Sequence, residues 1–202
     1  MSVHSPLSRW MLALSLIVVA LTAQAEEEGA AFTYVRPNTD FSVYKSFVVS
    51  PLDLTDMKLV PPAWVEKPNP RKWSISDADI EYIRSLYIES ITKGIENSGK
   101  FDVVEDADPL SIQVDVKIVR LTPWTEKGDK SETLGSGELK FEAELRNAGN
   151  GDLLAMVEGV QQVGKEYQPN SRLTAKHNLR EHFENWGKQL SAALARQHQH
   201  KH

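Results

Sequence analysis

The sequence predicts an α+β fold: a two-layer sandwich with a mainly antiparallel sheet of about five strands and two helices packed on one face. Two segments with apolar residues at helical spacing stand on either side of a run of strand-like segments. Those strand-like segments alternate apolar and polar residues, which gives the sheet one face for the helices and one face for solvent. The 202 residues are 41% hydrophobic, enough for one domain with its own core.

The first 25 residues have the organisation of a secretory signal peptide. Arg9 supplies the positive charge, residues 10–22 ("WMLALSLIVVALT") form the apolar segment, and "AQA" ending at Ala25 is a small-residue cleavage site. An uncleaved membrane anchor is the alternative, but the apolar segment is shorter than the ~20 residues that span a bilayer. We therefore expect cleavage after Ala25 and a protein released into the periplasm.

The folded domain is predicted to occupy residues 26–196. Its first clear strand is the short apolar run at residues 47–49, which Pro51 ends because proline cannot donate to a sheet. Residues 52–75 are predicted to form a long extended loop, since their prolines exclude both helix and central strand. These prolines are Pro61, Pro62, Pro68 and Pro70.

The first helix is predicted within "SISDADIEYIRSLYIESITKGIENSGK", residues 74–100. Ser76 is the expected N-cap, with Asp79 at the third helical position as in a capping box, and Gly99 is the expected end. One face of this helix carries apolar residues at helical spacing, which indicates burial against the sheet. They are Ile80, Ile83, Tyr87, Ile91 and Ile95.

Residues 101–121, "FDVVEDADPLSIQVDVKIVRL", combine a strong strand pattern with several carboxylates. We predict a hairpin in which "FDVVE" is the first strand, "DADP" the turn and residues 110–121 the second strand. Asp115 then lies on the solvent face of a strand and Asp102 on the preceding short strand, while the other three acids lie in or beside the turn. The five acids do not converge, so no metal or catalytic site is expected. The acids are Asp102, Glu105, Asp106, Asp108 and Asp115.

A second hairpin is predicted further along the chain. Residues 139–145 and 153–163 are strand-like and are joined by "NAGNGD", whose Asn-Gly and Gly residues tolerate positive φ. Residues 122–137 are predicted to be a loop. A last helix is expected over residues 174–196, followed by a disordered histidine-rich tail, residues 197–202. Its apolar stripe consists of Leu179, Phe183, Trp186, Leu190 and Leu194.

The net charge and the motifs exclude several classes of function and indicate no particular one. The net charge of −5 argues against binding to nucleic acid or to anionic lipid head groups. The absence of cysteine excludes disulfides, thiolate metal sites and a lipid anchor on cysteine. No nucleophile elbow, phosphate-binding loop, dinucleotide fingerprint or zinc-protease motif is present. We therefore expect a protein that is not an enzyme and uses no cofactor.

The histidines give only weak support to a metal-binding site. His177 and His182 fall on the last helix but point about 140° apart at ~100° per residue, so they do not share a ligand face. The tail is the remaining candidate for weak binding of transition metals; the alternative is an unspecialised hydrophilic terminus. Its histidines are His198, His200 and His202.

Loop tryptophans are the predicted binding residues. Trp64 and Trp73 lie in the proline-rich loop and Trp124 lies in the loop at residues 122–137. Aromatic side chains on loops either anchor a partner, here an envelope protein or polymer, or fold back as lids on the core. The binding hypothesis predicts that the two loops meet at one end of the sheet.

Two other functions stay open. An enzyme acting on envelope polymers through paired carboxylates would use Glu142, Glu144 or Glu158, although the strand alternation places Glu142 and Glu144 on the solvent face. Association of copies through an exposed edge strand is the third possibility.

Four segments together resemble a bacterial domain-of-unknown-function family, numbered 3313. They are "DFSVYKSFVVSPLDL", "SISDADIEYI", "GSGELKFEAELRNAGNGDLLAMVEG" and "HFENWGKQLSAAL". The family pattern has Asp and Thr where this chain has Asn147 and Asn150, and tends to have Asp at Glu158. The resemblance implies an exported envelope protein of Gram-negative bacteria, often a lipoprotein, and it supplies no catalytic residues.

Overall fold

The computed structural model describes residues 29–199. The predicted signal peptide, residues 1–25, and His200 and His202 of the predicted tail lie outside the described residues. Neither helix within residues 29–199 is both long and apolar enough to cross a membrane.

The chain forms nine strands and two long helices in this part. Their bounds are β1 (Ala30–Val35), β2 (Ser46–Val49), β3 (Lys58–Leu59), α1 (Asp77–Glu96), β4 (Asp102–Val103), β5 (Ser111–Pro123), β6 (Glu132–Leu134), β7 (Gly137–Asn147), β8 (Leu153–Val163), β9 (Tyr167–Pro169) and α2 (Arg172–Gln199), with a 3-10 turn at Phe41–Val43.

The predicted α+β sandwich is confirmed. The main sheet has the order β1-β8-β7-β5-β2-β4, with β3 beside the end of β5, and the two helices cover one face over a single core. The long strands β5, β7 and β8 pair antiparallel, whereas β2, β3 and β4 pair parallel to their neighbours. The sheet has seven strands rather than about five because β1 and β3 are present in addition to the five predicted strands. β3 has only two residues, too few to show alternation.

The predicted hairpin over residues 101–121 is wrong. β4 and β5 do not pair with each other, because β2 lies between them and runs parallel to both: Ser46 is opposite Asp102 on one side and Ser111 on the other. The acidic connection is still a turn, in which the Asp108 carboxylate accepts a hydrogen bond from the Leu110 amide at 2.5 Å. Asp and Pro specify that the chain turns, but not which strand it pairs with afterwards.

Helix α1 begins as predicted. The Ser76 hydroxyl accepts a hydrogen bond from the Asp79 amide at 3.3 Å, and the Asp79 side chain closes the capping box. The predicted apolar stripe faces the core, where Tyr87, Ile91 and Ile95 are fully buried.

Helix α2 extends further than predicted, through residues 197–199, which are therefore not part of a disordered tail. His198 accounts for the difference. Its Nε2 donates a hydrogen bond to the Tyr44 carbonyl oxygen at 2.9 Å, and its ring meets Phe101 edge-on, with centroids 5.5 Å apart. These tertiary contacts hold a last turn that its polar sequence alone does not favour.

The two helices cross in direct backbone contact through small residues. Ser90 and Gly94 of α1 face Gly187 and Ser191 of α2, and all four are buried. A Cβ atom on Gly94 would lie 2.1 Å from the Glu184 carbonyl oxygen, and one on Gly187 would lie 2.2 Å from the Ile91 carbonyl oxygen. Small residues at such a contact let two helix axes approach more closely than the 8–10 Å that is usual with larger side chains.

This close crossing leaves part of the sheet uncovered. Six strands at ~4.8 Å spacing are about 24 Å wide, whereas each helix with its side chains is about 10 Å across. The inner faces of β1, β8 and the adjoining part of β7 therefore lie beside α2 instead of beneath it. Phe32, Ala143 and Val157 point inward there and are only half-buried.

Candidate functional site

The two long loops meet, as the binding hypothesis requires. The indole rings of Trp64 and Trp124 are in contact, with centroids 5.5 Å apart and planes tilted by 40°. The Lys127 amide donates a hydrogen bond to the Lys72 carbonyl oxygen at 3.1 Å, and the Lys72 ammonium forms an ion pair with Glu126. The proline-rich loop and the loop after β5 thus form one continuous surface.

Strands β6 and β9 extend this surface. The Trp124 indole N–H donates a hydrogen bond to the Leu134 carbonyl oxygen at 3.0 Å. Leu134 in β6 is directly opposite Tyr167 in β9, so their side chains share a face. We call the surface formed by Trp64, Trp124, Leu134 and Tyr167 the aromatic end.

The aromatic end is unusually open to solvent. The exposed fraction is 66% for Trp64, 77% for Tyr167 and 39% for Leu134. Isolated exposed apolar side chains are ordinary, but several in contact mark an interaction surface. Because hydrogen bonds tie the loops to each other and to β6, the surface is held in shape by the scaffold behind it.

Trp73, the third predicted tryptophan, differs from the other two. It is half-buried, and its indole N–H is buried without a hydrogen-bond partner among residues 29–199. It makes no ring contact with another aromatic side chain of that range. The structure therefore brings together Trp64 and Trp124 and leaves Trp73 within the loop that carries Trp64.

Leu134 and Tyr167 were not predicted as site residues. Each lies in a three-residue strand, and the sequence around them reads as loop because three residues do not establish a period of two.

The carboxylates of the enzyme hypothesis lie on the solvent face of the sheet. Glu142 is opposite Lys117 on β5 and opposite Glu158 on β8. Glu144 accepts hydrogen bonds from the Arg146 guanidinium at 2.9 and 2.5 Å. None of the three lines the cavity of about 430 Å³ that opens on the opposite face. Residues 29–199 also contain no cluster of three or more histidine, aspartate or glutamate side chains that could hold a metal ion.

The histidines of α2 have different surroundings. His177 is 57% exposed beside Glu181, with 3.4 Å between Nε2 and Oε1. His182 packs on Trp186 with ring centroids 4.9 Å apart, and its Nε2 is buried without a hydrogen-bond partner among the described residues. Burial, helped by the positive charge of Lys165, lowers the pKa of His182 to about 4. His198 anchors the end of α2, as described above.

An open groove of about 430 Å³ lies between α2 and the uncovered strands. We call it the apolar groove. Gln161 is polar but occupied, since its side-chain oxygen accepts a hydrogen bond from the Trp186 indole at 2.7 Å. The remaining polar side chains of its lining are Lys188, Gln189 and Arg196 of α2, and no carboxylate of residues 29–199 lines it. Its apolar lining includes Phe32, Val114, Val116, Phe141, Leu145, Val157, Trp186, Leu190 and Ala193.

These features define a small α+β sandwich with apolar surface open to solvent at one end and along one side. The model of the family described as "Protein of unknown function (DUF3313)" matches residues 18–190, so the chain belongs to that family. This confirms the family resemblance seen in the sequence.

The solved structures to which this chain is similar are distant. A Xanthomonas campestris protein of the family DUF330 has a TM-score of 0.44 at 10% identity, covering 83% of this chain and 92% of its own. A PelC dodecamer from Paraburkholderia phytofirmans has a TM-score of 0.35 at 11% identity, covering 82% and 95%. A DUF4136 family protein from Bacteroides thetaiotaomicron has a TM-score of 0.34 at 12% identity, covering 82% and 96%. Among curated proteins, none matches the chain.

Proposed function

We propose that this protein is an exported, periplasmic binding module without enzymatic activity, and that its aromatic end binds a protein or polymer of the cell envelope. The observation that carries the proposal is the contact of Trp64, 66% exposed, with Trp124. Large aromatic side chains that are held in place and left open to solvent are typical anchors of binding surfaces, since their burial by a partner contributes most of the affinity.

The charges around the aromatic end favour a partner that binds through apolar contact. Lys72 and Glu126, the charged pair that joins the loops, neutralise each other. Together with the exposed side chains of Leu134 and Tyr167, this gives a surface on which a peptide or a sugar ring could stack.

The placement of the carboxylates supports a role without catalysis. Glycoside hydrolysis typically uses two carboxyl groups that flank the bond to be cleaved in a cleft. Glu142, Glu144 and Glu158 instead lie side by side on the open face of a sheet, and Glu144 is held by Arg146.

A crosslinking experiment tests the partner hypothesis. A photoreactive phenylalanine analogue replaces Trp64 in the full chain, and we expect one defined adduct after illumination of intact cells. Trp124→Ala, which removes the ring that supports position 64, is expected to reduce that adduct at least about threefold. The same analogue at Tyr34, a 38% exposed tyrosine on the outer face of β1, is the control. Identical adducts from positions 64 and 34 would contradict a site at the aromatic end.

The export hypothesis has its own test. After expression of the full chain in a Gram-negative host, we expect the protein in the periplasmic fraction with Glu26 as its first residue, because Ala25 ends the small-residue cleavage site. Intact mass and N-terminal sequencing of that fraction measure this. Ala25→Arg is expected to block processing and Glu28→Ala to leave it unchanged. A full-length product in the cytoplasm would reject the hypothesis.

A further inference from the structure

We infer that the apolar groove binds one long-chain fatty acid, with the acyl chain along α2 and the carboxylate at Arg196. The groove is separate from the aromatic end and involves different strands. Its volume of about 430 Å³ falls within the roughly 300–1,000 Å³ of small-molecule sites in proteins.

The groove has the length of an acyl chain. Its wall on α2 runs from Trp186 to Arg196, a distance of about 15 Å at 1.5 Å per residue. Half of the ~30 Å hydrocarbon thickness of a bilayer, the space one acyl chain occupies, is also about 15 Å. The floor between these ends is formed by buried apolar side chains of β5 and β7, among them Val114, Phe141 and Leu145.

The groove walls remain partly exposed in the protein alone. Phe32, Val157, Leu190 and Ala193 are apolar and half-buried, so each can lose further surface to an apolar ligand. The Gly94–Gly187 crossing holds α2 against α1. α2 therefore does not cover the half-buried Phe32 of β1 and Val157 of β8, and the groove stays open there. A ligand that fills it completes the core on that side.

Charge complementarity identifies the head group. Lys188 is already paired with Glu184, with 2.8 Å between Nζ and Oε1. Arg196 is half-buried and has no ion-pair partner among residues 29–199, and no acidic side chain lines the groove. A half-buried guanidinium without an anion favours a carboxylate, which it can bind through two parallel hydrogen bonds.

Two other occupants compete with this inference. The apolar segment at residues 10–22 precedes β1, whose first residue, Ala30, lines the groove. A second copy of the chain could also cover the groove. The fatty acid is favoured over residues 10–22 because these residues carry no acid to pair with Arg196. Light scattering tests the second copy.

The test is the binding of palmitate to the purified full chain and to its signal-processed form, measured by titration calorimetry. We expect saturable binding to both with one ligand per chain. Myristate, shorter by two methylene groups, should bind roughly tenfold more weakly. Hexadecanol, with the same chain and no charge, should also bind roughly tenfold more weakly than palmitate.

Matched variants locate the site. Arg196→Gln is expected to weaken palmitate roughly tenfold and to leave hexadecanol unchanged, whereas Arg180→Gln, an exposed arginine on α2 outside the groove, should change neither. Ala193→Phe, which fills the groove, should abolish binding of both ligands. Ala78→Phe, at an exposed alanine of α1, should retain it.

Three results would overturn the inference. They are no saturable binding to the processed form, equal affinity of palmitate for Arg196→Gln and the unchanged protein, and a dimer in light scattering that Ala193→Phe dissociates. The third would assign the groove to a second copy. The partner test at Trp64 does not involve the groove, so the two proposals succeed or fail separately.

Discussion

Gly187→Ala is expected to lower the free energy of unfolding by about 2 kcal/mol or more. The added methyl group would lie 2.2 Å from the Ile91 carbonyl oxygen, and because that atom belongs to a helix backbone, only a shift of a whole helix can relieve the clash. The gain in helix propensity from glycine to alanine, about 1 kcal/mol, offsets part of the cost. Urea unfolding followed by circular dichroism measures the difference.

Two variants complete this experiment. Gly94→Ala makes the reciprocal change on α1, 2.1 Å from the Glu184 carbonyl oxygen, and should cost a similar amount. Ser85→Ala, at an exposed position of the same helix, should stay within about 0.5 kcal/mol of the unchanged protein. A Gly187→Ala protein as stable as the unchanged one would mean that the helices do not cross in backbone contact.

Acidification from pH 7 to pH 4 is expected to cost the protein about 2–3 kcal/mol of stability through His182 alone. Burial lowers its pKa in the folded protein to about 4, while the ordinary value is 6.5. Between these values the unfolded chain holds a proton on His182 that the folded protein does not, so the free energy of unfolding falls as the pH falls. Above pH 6.5 the histidine is neutral in both states and contributes no pH dependence.

The variant His182→Met isolates the contribution of His182 to the pH dependence of stability, because the carboxylates titrate alike in the variant and in the unchanged protein. The stability of the unchanged protein minus that of the variant, from urea unfolding at pH 7, 6, 5 and 4, should decrease steadily from pH 6.5 to pH 4. Leu173→Met, at a 78% exposed position of the same helix that carries no titratable group, should give a difference that is constant within about 0.5 kcal/mol. A flat curve for His182→Met would show that the ring is protonated in the folded protein.

Local signals in the sequence were sufficient for much of this fold. Three signals each predicted an element from residues that are close together in the sequence. They are the capping box at Ser76, the alternation in β5 and the Asn-Gly turn between β7 and β8. The helix stripes likewise identified the buried faces. Short-range geometry determines all of these features, so a single sequence contains them.

The errors concern contacts between distant residues. β2 lies between β4 and β5 because Ser46 pairs across more than fifty residues, and no local pattern records that choice. The last turn of α2 depends on Tyr44, 154 residues before His198, and on Phe101, about a hundred residues before it.

The aromatic end and the apolar groove show the same difference between local signals, which the sequence contains, and contacts of distant residues, which it does not reveal. The tryptophans of the aromatic end could be selected because exposed loops carry function, but Leu134 and Tyr167 join them only through pairing of β6 with β9. The apolar groove was not predicted, although Gly94 and Gly187 inside two helical patterns were a usable signal. A glycine there costs stability unless another backbone approaches it closely.

The position of β1 has a consequence for the order of folding. β1 is the first strand of residues 29–199, and among these residues its only neighbour in the sheet is β8, which ends more than a hundred residues later. Ribosomes make the N-terminus first, so β1 waits unpaired until almost the whole domain has been synthesised. Until then β8 either has not been synthesised or has an unpaired edge. A chaperone that shields β1 during this interval would prevent wrong strand pairing.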